Sequence, residues 1–189
     1  MRLARSLLSL AVALGLAACF VQHAEPIGTA EPAAPGQWSG FWVAEPLEAG
    51  GEPGFFAIAD VDPWKGVFSV SDADPDGNPI SDPIPLHLRR VGDTLFLDVQ
   101  DKPGDPWMLF VVAENAQDRV VLAWKPRAEE MRRAIEAGSF QGELKLNAAA
   151  EVEELALTEF TEAQQARLAR DWRNLFTDAR MVLKRVPIR

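Results

Sequence analysis

The stretch Leu-His-Leu-Arg-Arg-Val-Gly-Asp-Thr-Leu-Phe-Leu-Asp-Val, residues 86–99, carries the clearest signal for the fold class of this chain. Apolar and polar residues alternate on both sides of its central Gly92-Asp93. A period of two is typical of half-buried β-strands, and a short Gly-Asp connection is typical of a hairpin. We expect Leu97 and Val99 to face inward, and Asp98 to face outward.

Short apolar runs bounded by turn residues recur on both sides of this hairpin. They predict strands at residues 38–43, 55–61, 66–70, 107–113 and 119–124. The last two runs are apolar on both faces, which indicates central strands that are covered on each side. Strands spaced about 8–12 residues apart indicate an antiparallel meander that curls into a barrel-like or sandwich-like sheet.

The C-terminal third has helical periodicity in two places. Pro126 fits the first turn of one helix, which Gly138 closes. Thr161 with Gln164 forms a capping-box start for a second helix. The apolar stripe of the second helix consists of Leu168, Trp172, Leu175 and Phe176. With strands expected at 140–146 and 181–186, the fold class is α+β, mostly β, with two C-terminal helices.

The N-terminus carries a basic start, Arg2 and Arg5, an apolar run over residues 7–18, and then Leu16-Ala17-Ala18-Cys19. This pattern resembles the lipobox of bacterial lipoprotein signal peptides. The apolar run is shorter than the roughly 20 residues that a membrane-spanning helix needs, and small residues before a cut site are typical of a signal peptide. Two alternatives are an ordinary signal peptide with a chance cysteine, or an apolar helix of the fold.

The lipobox resemblance implies that the signal peptidase recognises Leu16, Ala17 and Ala18, that residues 1–18 are removed, and that Cys19 is lipidated. Cys19 is the only cysteine in the chain, so lipidation would leave no free thiol in an oxidising compartment. Two or more acyl chains, at about 0.8 kcal/mol per buried CH₂, anchor a protein stably. In lipoproteins of this kind that are retained at the inner membrane, the residue after the cysteine tends to be Asp. Here it is Phe20, which favours anchoring in the outer membrane with the protein facing the periplasm.

Residues 19–36 are rich in Pro, Gly, Glu and Ala and show no hydrophobic period, which predicts a flexible linker with His23 as a solvated residue. Residues 37–189 are then a single β-rich globular domain. The net charge of −9 becomes −11 once residues 1–18, with two arginines and no acid, are removed. So acidic a chain repels nucleic acid.

Asp72, Asp74, Asp76 and Gly77 match the first half of a calcium-binding D-x-D-x-D-G loop. The twelfth position, where a bidentate Glu belongs, is Pro83. The same residues are also typical of a plain solvated turn, which is the interpretation we favour. We therefore expect no metal and no cofactor.

His87 is the only histidine of the predicted domain, and its strand places it beside Arg89 on the polar face. A catalytic base needs a nucleophile and an orienting acid, and a surface or sheet-packing role fits better. Adjacent carboxylates on a helix point about 100° apart, so Glu129/Glu130 and Glu153/Glu154 are expected to be solvated charges rather than a hydrolase pair. We expect a non-enzymatic protein.

Gly36-Gln37-Trp38 opens the first predicted strand of the domain, and Lys184-Arg185 lies on the last one. This arrangement is similar to that of lipocalins, in which a G-x-W tryptophan packs under an arginine at the closed end of an up-and-down barrel. The resemblance implies a small hydrophobic ligand in the barrel mouth. Our primary hypothesis is a lipid-anchored module that binds an envelope protein partner; the alternative is a lipocalin-like carrier of a small hydrophobic ligand.

Overall fold

The computed structural model describes residues 21–46, 51–149 and 152–187. These residues form twelve β-strands, two α-helices and one short 3-10 turn. In chain order the elements are β1 (Val21–His23), β2 (Thr29–Ala30), β3 (Gly40–Ala44), β4 (Gly54–Asp62), the 3-10 turn (Pro63–Lys65), β5 (Val67–Asp72), β6 (Ile84–Val91), β7 (Thr94–Val99), β8 (Trp107–Ala116), β9 (Arg119–Ala123), α1 (Ala128–Glu136), β10 (Gln141–Leu146), β11 (Val152–Glu159), α2 (Glu162–Leu175) and β12 (Arg180–Val186).

Eight of these strands close into an antiparallel barrel. Strands β3 to β9 each pair with the next along the chain, and β12 pairs with both β9 and β3 to complete the circle. The predicted fold class is confirmed, and the sheet takes the barrel form rather than the sandwich form. Elements α1, β10, β11 and α2 are inserted between the seventh and eighth strands of the barrel.

The hairpin of residues 86–99 forms β6 and β7, as predicted. Leu88 lies opposite Leu97, and Leu86 lies opposite Val99. All four side chains are buried in the barrel interior, as their alternation predicts. Gly92 closes the turn with a φ of 56°, a left-handed conformation that glycine adopts without a steric penalty.

Side chains fill the barrel interior. Aromatic rings provide much of the volume, and burial of each large apolar side chain stabilises the fold by roughly 1.5–3 kcal/mol. The buried aromatic residues of this core are Trp38, Trp42, Phe56, Phe68, Phe110 and Trp124. The predicted inward alternation therefore produces a packed core.

A second hydrophobic core lies on the outer face of the barrel. Phe96, Leu109 and Val111 point outward from β7 and β8 and are completely buried. The apolar stripe predicted for α2 covers them together with α1 and the inserted strands, and Leu168, Trp172, Leu175 and Phe176 are all buried there. This second cover explains why β8 and β9 are apolar on both faces.

The inserted strands extend the sheet beyond the barrel. β1 pairs antiparallel with the first part of β8, with Val21 opposite Leu109, and parallel with β11, with Val21 also opposite Leu155. β10 pairs with β11 and ends the sheet. β11 covers Val152–Glu159, where none of the predicted strands lies.

The prediction of a flexible linker is wrong for the part of residues 19–36 that the structure describes. Val21 and Ile27 are completely buried, and His23 is 2% exposed. The physical reason is that β1 is only three residues long, so no period can show in its sequence, whereas its pairing partners lie far along the chain. The folded domain therefore includes residues from Val21 onward rather than starting at residue 37.

The helix boundaries agree with the predicted signals with one difference. The Thr161 side chain accepts a hydrogen bond from the Gln164 backbone N–H, and the Gln164 side chain accepts one from the Thr161 N–H, which confirms the capping box. Gly138 follows α1 with a φ of 67°. Pro126, expected in the first turn of α1, instead precedes its cap residue Arg127 and bridges to Phe176.

Candidate functional site

The N-terminal segment of residues 24–37, which we call the strap, is fastened to the outside of the barrel by polar contacts. Arg89 on β6 donates from Nε to the Ile27 carbonyl oxygen and from Nη2 to the Gly28 carbonyl oxygen, both at 2.7 Å. Arg90 binds the Glu31 carboxylate through two hydrogen bonds of 2.6 and 2.8 Å. These bonds lower the pKa of Glu31. The strap is thus part of the fold.

Glycine is required at one point of the strap where the chain approaches β6 closely. Gly28 has a φ of 57°, and a Cβ there would lie 2.2 Å from the Arg90 carbonyl oxygen. Its backbone N–H donates to Gln165 Oε1 on α2 at 2.7 Å. The strap therefore lies between the barrel and the second helix.

A buried acid–histidine pair holds the start of the strap. His23 Nε2 lies 3.2 Å from Asp98 Oδ1, and the side chains are 1% and 0% exposed. The Ile27 backbone N–H donates to the other carboxylate oxygen of Asp98 at 3.0 Å. Asp98 does occupy the outer face of β7, as its alternation predicts, but the strap and β1 cover that face.

The hydrogen-bond partners of His23 determine where one proton lies. Its Nδ1 is 2.5 Å from the Glu25 carbonyl oxygen, which can only accept, so Nδ1 carries a proton. The opposite ring nitrogen faces the Asp98 carboxylate.

His87 faces the same carboxylate from the neighbouring strand. It lies directly opposite Asp98 in the β6–β7 register, and its ring is 4.6 Å from the Trp107 ring. Burial lowers the pKa of His87, the Asp98 charge partly offsets this effect, and the Arg89 charge lowers the pKa slightly further. The sheet-packing role predicted for His87 fits this geometry.

The His23–Asp98 pair is unsuited to acid–base chemistry on a substrate. A general base must come within hydrogen-bond distance of the proton that it removes. His23 and Asp98 are closed off from solvent, and both ring nitrogens of His23 face groups of the protein itself. The arrangement instead fastens β1 and the strap to the barrel.

The loop of residues 72–78 is a hydrogen-bonded turn. The Asn78 side-chain amide donates to both carboxylate oxygens of Asp74, and this contact is the main cause of the lowered pKa of Asp74. The backbone N–H groups of Asn78 and Asp76 also donate to Asp74 Oδ1 and lower the pKa further. Asp72 is buried, and burial raises its pKa. Within residues 21–46, 51–149 and 152–187, no group of three His, Cys, Asp or Glu side chains could hold a metal ion.

Glu129 and Glu130, one of the two adjacent carboxylate pairs of the sequence, form ion pairs on the surface of α1. Glu129 contacts Arg132 at 2.8 Å and Glu130 contacts Arg133 at 3.1 Å on α1. Such exposed pairs contribute roughly 0–1 kcal/mol each. Their solvated character agrees with the prediction, and Glu153 is likewise exposed.

A recess of about 470 Å³ lies at the barrel end crossed by the strap, which we call the strap end. Trp38, Trp42 and Arg185 line it. The lipocalin resemblance places an arginine over Trp38. In this structure the Arg185 guanidinium lies 4.9 Å from the centre of the Trp42 ring and donates a hydrogen bond to the Gln37 carbonyl oxygen. The centre of the Trp38 ring lies 6.4 Å from that of the Trp42 ring. The recess combines two indole rings with one cation.

Large apolar side chains are exposed at both ends of the barrel. Val61 and Trp64, which we call the turn patch, are 63% and 65% exposed at the β4–β5 turn of the strap end. Ile80, at the opposite end, is 64% exposed. No sequence pattern marks these residues, because an exposed apolar residue in a turn has no hydrophobic period.

Leu16, Ala17, Ala18 and Cys19, the residues of the predicted lipobox, lie outside the described residues. None of the described helices is both long enough and apolar enough to cross a membrane. Comparisons with protein-family models, with curated proteins and with solved structures find no match for this chain.

Proposed function

We propose that this chain is a non-enzymatic lipoprotein of the bacterial cell envelope. Cleavage before Cys19 and lipidation of its sulfur would hold the barrel domain at the periplasmic face of the outer membrane. There the domain binds a partner protein. The lipobox-type sequence of residues 16–19 supports the anchor.

The observation that carries the binding role is the combination of a filled barrel with an exposed turn patch. A carrier of a large apolar ligand needs interior space, whereas the interior of this barrel is occupied by aromatic and aliphatic side chains. Exposed aromatic residues such as Trp64 are enriched at protein interfaces. The turn patch is therefore the surface that we assign to the partner.

The anchor is tested with the full chain and its Cys19→Ser variant. In cells fed a clickable palmitate analogue, we expect the wild type to be labelled and to fractionate with membranes. The Cys19→Ser protein should carry no label. Equal membrane association of the unlabelled variant would contradict lipid anchoring.

The binding role is tested with a photo-crosslinking residue at Lys65, which is exposed beside the turn patch. We expect one discrete crosslinked product in intact cells, reduced at least about tenfold by Trp64→Ser. Ile80→Ser, at the other end of the barrel, serves as the matched control and should leave the product unchanged. A product that is insensitive to Trp64→Ser would exclude the turn patch.

A second candidate function is a carrier of a small hydrophobic ligand, and the recess at the strap end favours it. Its volume of about 470 Å³ and its two indole rings suit a compact apolar group. Titration with a fluorescent fatty acid should then quench tryptophan emission saturably. Gln117→Trp, which fills the recess, should abolish that signal, whereas Lys102→Trp at the opposite end should not.

A further inference from the structure

Strand β10 is an open edge of the sheet. Among the described residues it pairs with β11 on one side and with no strand on the other. An open edge presents unpaired backbone N–H and C=O groups, which can pair with a strand of another molecule. All other strands of the extended sheet from β8 to β11 have neighbours on both sides.

The side chains of β10 alternate between two faces. Gln141, Glu143 and Lys145 are exposed, whereas Leu144 and Leu146 are half-buried against the second core. The half-buried leucines lie at the rim of that core. A strand added beside β10 would cover their remaining exposed surface, which is a favourable contribution from hydrophobic burial.

The two charges of the exposed face are opposite in sign and lie symmetrically about Leu144. Lys145 contacts Glu154 of β11 at 2.5 Å within the chain, so its ammonium lies between the sheet and the open edge and has further hydrogens to donate. We propose that β10 pairs antiparallel with β10 of a second copy of this chain, around a two-fold axis at Leu144. Glu143 then lies opposite Lys145 of the second copy, and the symmetry produces this pair twice. Leu144 lies opposite its own copy.

The same charges disfavour the neighbouring registers. A two-fold axis at Glu143 would place two glutamates opposite one another, and an axis at Lys145 would place two lysines opposite one another. Like charges directly opposite across strands are destabilising. A shift by one residue between the two copies would set the exposed face of one strand against the leucine face of the other.

The proposed pairing of β10 with β10 of a second copy is a weak contact. A single pair of six-residue strands buries less surface than the roughly 1,200–2,000 Å² of stable interfaces. The net charge of −9 also produces repulsion between copies at long range. We therefore expect a dimer that forms at high protein concentration, and a lipid anchor would raise the local concentration.

Charge exchange tests this register. Glu143→Lys should weaken dimerisation at least about tenfold, because the introduced lysine then faces Lys145 of the second copy. Lys145→Glu should do the same, because both facing residues are then glutamates, and it also replaces the Lys145–Glu154 pair within each copy by two like charges. An equimolar mixture of the two variants should recover heterodimers, since opposite charges face each other again, and this recovery also shows that both variants are folded.

The measurements are sedimentation of the full chain in detergent over a concentration series, and carbodiimide crosslinking of a mixture of ¹⁵N-labelled and unlabelled protein. A crosslink between Glu143 of one isotopic form and Lys145 of the other is expected for the wild type. The control is Glu52→Lys, which changes the net charge as Glu143→Lys does but lies in an exposed loop. The Glu52→Lys protein should dimerise as the wild type does. The proposal is overturned if the wild type forms no mixed-isotope crosslink, or if mixing the two variants restores nothing.

Discussion

His23 and Asp98 contact each other in the interior of the protein, with 3.2 Å between Nε2 and Oδ1, although they lie 75 residues apart in the chain, on β1 and β7. The contact links the first described strand to the predicted central hairpin. Both side chains are fully buried, and each also has a backbone partner: the Glu25 carbonyl oxygen for His23 and the Ile27 N–H for Asp98. Together with the pairing of β1 to β8 and β11, this pair holds β1 and the start of the strap on the barrel.

Removal of the carboxylate should destabilise the whole domain. Asp98→Ala leaves His23 Nε2 without the carboxylate that it faces and leaves the Ile27 N–H unpaired, and we expect a loss of about 3–5 kcal/mol in the free energy of unfolding. Urea denaturation measures this loss, and amide exchange at Ile27 should accelerate. Asp76→Ala, on the exposed turn, should change stability by less than about 0.5 kcal/mol.

A double-mutant cycle shows whether His23 and Asp98 stabilise each other or contribute independently to the free energy of unfolding. The combined His23→Leu and Asp98→Leu replacement should cost less than the sum of the single replacements, since neither buried polar side chain is then left without its partner. Additive costs would show that the two side chains do not stabilise each other.

His87 should make the protein less stable in mild acid. Burial lowers the pKa of folded His87 below the value of about 6.5 found in unfolded chains. The unfolded state therefore binds more protons as the pH falls below 6.5, and stability decreases until the folded histidine is also protonated. The free energy of unfolding from pH 7.5 to 4.5 should fall less steeply for His87→Gln than for the wild type.

Asp72→Asn should stabilise the protein at neutral pH. Burial raises the pKa of folded Asp72, and its Oδ2 atom has no hydrogen-bond partner among the described residues. The folded carboxyl therefore holds its proton to higher pH, so the cost of the buried charge is present at pH 7 and disappears in acid. Because solvent screens part of this cost, we expect a gain below about 1 kcal/mol in urea denaturation at pH 7, and none near pH 3.

Gly28→Ala should lower the stability of the protein much more than Gly92→Ala does. Gly28 and Gly92 have nearly the same φ, 57° and 56°, but a Cβ at Gly92 meets no atom within 4 Å. Gly92→Ala therefore reports the backbone strain alone, about 1–2 kcal/mol. Gly28→Ala adds the collision with the Arg90 carbonyl oxygen, and its Tm should fall clearly further. Equal losses would mean that the strap can move away from β6.

Part of the candidate site could be predicted from the sequence. Arg185 does lie with tryptophans at the first barrel strand, although it covers Trp42 rather than Trp38. His87 does share the outer face with Arg89. The burial of that face could not be predicted, because it depends on the strap, whose residues carry the Pro- and Gly-rich composition of a linker.

Elements whose partners are close along the chain could be derived from the order of residues alone. The hairpin of residues 86–99, the capping box at Thr161 and the apolar stripe of α2 all depend on local alternation or spacing, which is visible in one dimension. The position of β1, the pairing of β11 and the contact between His23 and Asp98 emerged only from the three-dimensional fold. These features depend on hydrogen bonds and burial supplied by distant residues, and a three-residue strand is too short to show a period of its own.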